Sequence, residues 1–253
     1  MSNLPTLAKG PVLLPGTFNK DAIVFIDAEV SPETGQIVDL GACRADGRFF
    51  HSSNVAAFKE FCKGADFVCG HNIVAFDMQY LRPVLGDGPQ AVDTLPLSAL
   101  LFPRKRFHNL LKDEKLLTDE LNNPLSDARK AMALFEEEVA AFNELPGVLQ
   151  RLFCAMLKNR PEFAGFFRCL NVQTPTFADP AGVIKRLMAD KLCIHADLDG
   201  LAKRQPAELA YALAFIRAAE PADVIPPWVN TNYPATQSVL NALRYTPCKK
   251  GCP

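Results

Sequence analysis

The apolar positions of this chain change period along its length, and the changes mark out its elements. Residues 23–30, IVFIDAEV, are apolar with the two-residue alternation of a strand, placed here over 22–30. Pro32 to Gly35 make a turn, 36–43 a second strand, Ala45-Asp46-Gly47 a hairpin turn and 48–51 a third strand. Val55, Phe58, Phe61 and Cys62 have helical spacing and predict a helix over 54–63. Short apolar runs at 67–70 and 90–93 predict two further strands. Between them Phe76, Tyr80 and Leu81 form a helical stripe that Arg82-Pro83 should stop. A helix near 95–101 follows. Leu125, Ala128, Met132, Phe135, Val139 and Phe142 give a longer helix, 122–142, one core face, with Asn123 as N-cap before Pro124. Three antiparallel strands followed by strands alternating with helices predict a mixed-sheet α/β fold.

After residue 145 the pattern is helical throughout. Five segments beginning LPGVLQ, PEFAGF, DPAGVI, QPAELA and YPATQS are separated by prolines that sit at or near helix starts. The chain therefore divides into an N-terminal arm (1–19), an α/β domain (20–144), an all-helical accessory domain (145–247) and a cysteine-containing tail (248–253). Phe163, Phe166 and Phe167 read as core. No P-loop, Cys-His cluster or nucleophile elbow is present in the helical half.

The polar exceptions carry the chemistry. Strand alternation puts Ile23, Phe25, Asp27 and Glu29 on one face and Val24, Ile26, Ala28 and Val30 on the other. Two acids two residues apart stand roughly 7 Å apart by strand rise. Buried together they would repel and lose hydration unless a cation sat between them, whereas a strand end emerging into solvent would need none. Two more acids arrive from distant segments. Asp77 follows the strand at 67–70 in CGHNIVAFD, and Asp127 lies in the first turn of the long helix, beside its buried stripe. The helix dipole favours an acid there in any case.

Taken together, FIDAE, GHNIVAFD and NNPLSDA resemble the three motifs of the DnaQ-like (DEDD) 3′–5′ exonuclease superfamily, in the family's order, over residues 20–143. The resemblance implies an RNase H-like fold in which Asp27, Glu29, Asp77 and Asp127 hold two Mg²⁺ or Mn²⁺ ions. It implies catalysis on nucleic acid, single-stranded or frayed DNA, with Asn72, Phe76 and His71 on the substrate side. One departure stands out. The family's fifth catalytic residue is a His five positions before the last Asp or a Tyr four before it, and here those positions are Asn122 and Asn123. A carboxamide takes no proton from water near neutral pH. The expectations are therefore a slow exonuclease or, alternatively, a catalytically impaired binding module. His71 reads as a hydrogen-bonded structural residue and His108 as a weak candidate for a displaced base.

DTLPLSALLFP, HNLLKDEKL, DELNNPLSDA and the terminal TPCKKGCP also resemble the N-terminal nuclease-like region of long bacterial RecQ-family helicases, which implies a C-terminal helicase motor as partner and a role in DNA repair or defence. Cys248 and Cys252 would then be half of a Zn²⁺ site whose other ligands lie beyond Pro253; an unliganded tail fits them equally. The other six cysteines read as small core residues of a reduced protein. A net charge of −1 gives no global basic footprint, although Arg104, Lys105 and Arg106 could meet phosphates or form a solvated turn. No apolar run is long enough for a bilayer, so the expectation is a cytoplasmic protein without membrane partners.

Overall fold

The alternating strand at 23–30 is the centre of a five-stranded mixed sheet in the computed structural model, which describes residues 19–110, 123–172, 179–188 and 190–245. The N-terminal arm up to residue 18, Asn122, Cys248 and Cys252 lie outside the described residues. The strands are β1 (Ile23–Val30), β2 (Ile37–Cys43), β3 (Phe49–His51), β4 (Phe67–Gly70) and β5 (Gln90–Asp93), in the order β3-β2-β1-β4-β5. β1, β2 and β3 pair antiparallel, while β4 and β5 run parallel to β1. This is the mixed α/β arrangement expected from the pattern.

Each face of β1 nucleates its own core. Val24, Ile26 and Ala28 pack with Phe58 and Cys62 of α1 (Val55–Cys62) and with Met78 and Leu81 of α2 (Met78–Leu85). Ile23 and Phe25 face the other way, toward α3 (Thr94–Leu101) and α4 (Pro124–Glu144). Phe25 and Phe135 of α4 stand 5.7 Å apart between ring centres.

Two helix ends repay attention. α2 does not stop at Arg82-Pro83, as the sequence suggested. It runs through Pro83 and ends at Gly86, whose φ of 72° and ψ of −159° form a backbone conformation that glycine adopts readily. α4 begins at Pro124, with the Asn123 side chain accepting from the Ser126 N–H, and continues two residues beyond the expected end. Its first turn lies directly on β2. A Cβ at Gly41 would overlap the backbone of Pro124 and Leu125, so glycine alone lets the helix come this close.

The helical half comprises α5 (Gly147–Leu157), α6 (Pro161–Cys169), α7 (Pro180–Leu187), α8 (Leu198–Arg204), α9 (Pro206–Ala218), α10 (Pro227–Asn232) and α11 (Thr236–Leu240), which runs into a π turn over Asn241–Tyr245. α8 and α10 were not expected; seven and six residues are too few to show a helical stripe. The core is continuous across residue 145. Phe166 of α6 meets Phe135 and Phe142 of α4 edge-on, and Gly165 brings α6 onto the backbone of β5 at Ala91. Phe163, Phe166 and Phe167 are all buried there. Of the cysteines described, five are buried and Cys193 is half-buried. Among the described residues no helix is long and apolar enough to cross a membrane.

Candidate metal centre

Parallel strands β1 and β4 send their C-terminal ends to the same edge of the sheet, the place where open α/β sheets bind ligands. Asp27 and Glu29 lie in the last half of β1. Asp77 arrives from the β4–α2 connection and is buried, with Oδ1 accepting from the Ala28 N–H at 3.2 Å. Asp127 comes from the first turn of α4, which Gly41 seats on the sheet.

Electrostatics tie the four acids together. Burial, followed by the carboxylates of Asp77, Asp127 and Glu29, pushes the Asp27 carboxyl up to about 8. Asp77 rises to about 7, mainly through burial; the Ala28 N–H opposes the rise, while Asp93 and Glu29 add to it. The Lys130 ammonium, 3.4 Å from Asp127 Oδ1, supplies one local positive charge, which the sequence pattern did not flag. Four hard oxygen donors that repel one another fit Mg²⁺ or Mn²⁺ in chemical type. Their side chains are not drawn together around a point: among the described residues no three His, Cys, Asp or Glu side chains are set to hold one ion. Ligation would require those carboxylates to close inward by rotamer changes.

The connection carrying Asp77 is pinned from behind. Asp93, at the end of β5, is buried and accepts from the N–H groups of Asn72 (2.9 Å), Val74 (3.0 Å) and Leu95 (3.1 Å). Those bonds hold Asn72 at φ 64°, an αL position that asparagine tolerates. Phe76 is left 46% exposed, its ring edge-on to Tyr80 at 6.0 Å. Asn72 and Phe76 thus flank Asp77 on one anchored loop.

His71 and His108 both take hydrogen-bonded packing positions, as the sequence reading had it for His71. His71 bonds Thr94 Oγ1 at 2.9 Å, and burial, with His108 as a lesser cause, lowers it to about 4. His108 is buried against Ser98 Oγ at 2.8 Å and is likewise lowered to about 4, by burial first and Lys105 second. Both rings belong to the packing behind the loop. His51 was overlooked. Strand register sets it opposite Gly41, which is itself opposite Asp27, while Asp39 is opposite Glu29. Cross-strand partners share a face, so Asp27, Glu29, Asp39 and His51 all point to one side of the sheet. His51 Nε2 lies 2.8 Å from Asp39 Oδ2. The signal was present in the alternation of the second and third strands, but it needs the register to be read.

The basic run is largely committed to neighbours. Arg104 pairs with Glu220 (2.8 Å) and Asp223 (2.9 Å), and Lys105 stacks on Phe102 while facing Glu137. No protein-family model, curated protein or solved structure matches the chain.

Proposed function

We propose that the chain is a DnaQ-like (DEDD), RNase H-like 3′–5′ exonuclease acting on DNA as part of a larger, helicase-linked protein. The observation that carries the reading is the placement of Asp27 and Glu29 at the end of β1 with Asp77 bonded to the Ala28 N–H between them; the neighbouring acids, Asp127 included, add to the burial that pushes the Asp27 carboxyl up to about 8. Acids from three separate segments lie near enough to act on Asp27 electrostatically, an arrangement in keeping with a site that takes a cation. The strand order β3-β2-β1-β4-β5 supports it further, with Asp27 and Glu29 at the C-terminal end of β1, Asp77 in the connection that follows β4 and Asp127 in the first turn of α4.

Asp27, Glu29, Asp77 and Asp127 would hold two Mg²⁺ or Mn²⁺ ions. Such ions activate a water and stabilise the departing oxygen in phosphodiester hydrolysis. The chain's own residues do the rest. Asn72 and Phe76, on the loop anchored by Asp93, position the terminal nucleotide, Phe76 by offering an exposed ring face to a base. His71 supports that loop through Thr94. At the sequence position where the family carries its proton-accepting His, this chain has Asn122.

A second reading is a nucleic-acid-binding module, impaired in catalysis, that guides an attached motor. Asn122 favours it, as does the absence of a closed ligand set among the described residues. A time course with end-labelled DNA and RNA in Mg²⁺ and then Mn²⁺ separates the two. Stepwise shortening from the 3′ end, abolished by Asp27→Ala, is expected. Binding without shortening in either metal would favour the second reading. Shortening by Asp27→Ala at the parent's rate would overturn the metal assignment.

A further inference from the structure

A phosphodiester brought to a cluster of acids arrives as a like charge. Two divalent cations would offset four carboxylates. The phosphate's own charge, and the further charge that builds up as water adds, is then left for the protein to balance. A side-chain cation in contact with the acids is suited to that task, and α4 supplies one. Lys130 is three residues beyond Asp127, so the two share one face of the helix, a turn apart. The Lys130 ammonium donates to Asp127 Oδ1 at 3.4 Å. Asp127 in turn acts on the Asp27 carboxyl, which sets the ammonium beside the acid cluster.

The surroundings of Lys130 differ from those of the other basic groups nearby. Arg129, next to it, is exposed and turns to the edge of the sheet, its guanidinium 5.4 Å over the Phe49 ring of β3. Arg104 and Lys105 face acids of their own. Lys130 is half-buried, and its pairing with Asp127 is loose. A charge-assisted bond of this kind runs about 2.7–2.9 Å, shorter than the 3.4 Å here, and the two side chains keep 25% and 35% of their surface open. An ammonium on a flexible four-carbon stem exchanges one oxygen partner for another with little movement.

We propose that Lys130 is a phosphate-binding residue, whose ammonium exchanges Asp127 for the 3′-terminal phosphodiester when nucleic acid enters the site; this rests on the nucleic-acid reading above, in either of its forms. When Asp127 gives its oxygens to a divalent cation, the ammonium is released to the nearest other anion, the entering phosphate. The exchange also fixes the sign of a second effect. An ammonium that competes for Asp127 weakens cation binding, so removing it should tighten that binding. An ammonium that merely held Asp127 in place would, once removed, loosen it.

The test compares the full chain with Lys130→Met and Lys130→Arg. Electron paramagnetic resonance reads Mn²⁺ binding. Fluorescence anisotropy reads binding of labelled single-stranded DNA over a salt series, with Ca²⁺ replacing Mn²⁺ and the strands confirmed intact afterwards. Lys130→Met is expected to bind Mn²⁺ at least as tightly as the parent and to lose about ten- to a hundredfold in DNA affinity and in the rate of shortening. The slope of log affinity against log salt should flatten by about 0.7, the share of one phosphate contact on a single strand. Lys130→Arg should keep the parent's slope. An uncharged methylphosphonate at the 3′-terminal linkage should abolish the difference in affinity between parent and Lys130→Met. Weaker Mn²⁺ binding by Lys130→Met would overturn the inference in favour of a residue that only holds Asp127. An unchanged salt slope, or a loss that persists on the methylphosphonate strand, would overturn it as well. A parent that binds DNA with this dependence on Lys130 but shortens no strand in any metal overturns the exonuclease reading and leaves the contact standing. A parent that binds no DNA overturns both.

Discussion

Glu138 offers the sharpest test of how this core is built. It lies on the buried side of α4, has no exposed surface, and neither carboxyl oxygen has a hydrogen-bond partner among the described residues. Burial pushes its carboxyl well above the usual range, with Asp93 adding and Lys105 opposing. A neutral acid buried without partners costs about 1–3 kcal/mol. Methionine matches its length and carries no such groups, while repacking loses under about 1.5 kcal/mol. Glu138→Met should therefore stabilise the fold. The sign with pH follows from linkage. The folded-state value lies above the unfolded 4.5, so the stabilising share is complete below 4.5 and is lost as pH rises toward the folded value. Each unit in that window costs up to about 1.4 kcal/mol. Glu138→Gln isolates this part, because it keeps the volume and unpaired polar atoms and removes the titration. Urea unfolding of parent, Glu138→Gln and Glu138→Met at pH 5, 6 and 7.5 measures both. The advantage of each variant should grow with pH. A difference that stays flat, or a Met variant less stable than the parent at pH 7.5, would refute the reasoning and mean that the carboxyl is paired in solution.

Three other outcomes are expected. In EDTA, Asp27→Asn should raise the melting temperature by about 2–4 °C per kcal/mol of relieved burial and repulsion; the gain should be larger at pH 7.5 than at pH 5, because an acid held up to about 8 loses stability as pH rises from 3.8. Mn²⁺ should stabilise the parent and leave that variant unchanged in the same melts. Gly41→Ala forces the start of α4 off β2 and should cost about 1–3 kcal/mol in urea unfolding, with weakened Mn²⁺ binding because Asp127 moves with the helix. Asp93→Ala strands the N–H groups of Asn72, Val74 and Leu95, costing about 2 kcal/mol or more, and hydrogen exchange at 72–74 should accelerate well beyond that of β1.

The α/β half was legible because each of its elements obeys one period. β1 to β5 fall within a residue or two of their expected places, since short apolar runs between turn residues have few other ways to bury themselves. Pro83 misled, because a proline weakens a helix locally, whereas the end of α2 is set by Gly86, whose positive φ breaks the helical backbone. In the helical half α8 and α10 were too short to show a stripe, and the shared core around Phe166 depends on contacts between distant segments. The candidate site divides along the same line. Asp27 and Glu29 announce themselves as acids on an apolar face. Asp39 and His51 do not, since a half-exposed strand carries polar residues on its open side as a matter of course. Their significance depends on which residues they pair with, and pairing is fixed by the turn between β1 and β2 and by the approach of α4 to Gly41. A one-residue slip of β2 would send Asp39 to the opposite face, away from Glu29. The bulge between Glu29 and Val30 lies next to that row, where such features re-aim side chains. The acids are thus a property of local sequence, and the Asp39–His51 pair beside them is a property of the sheet.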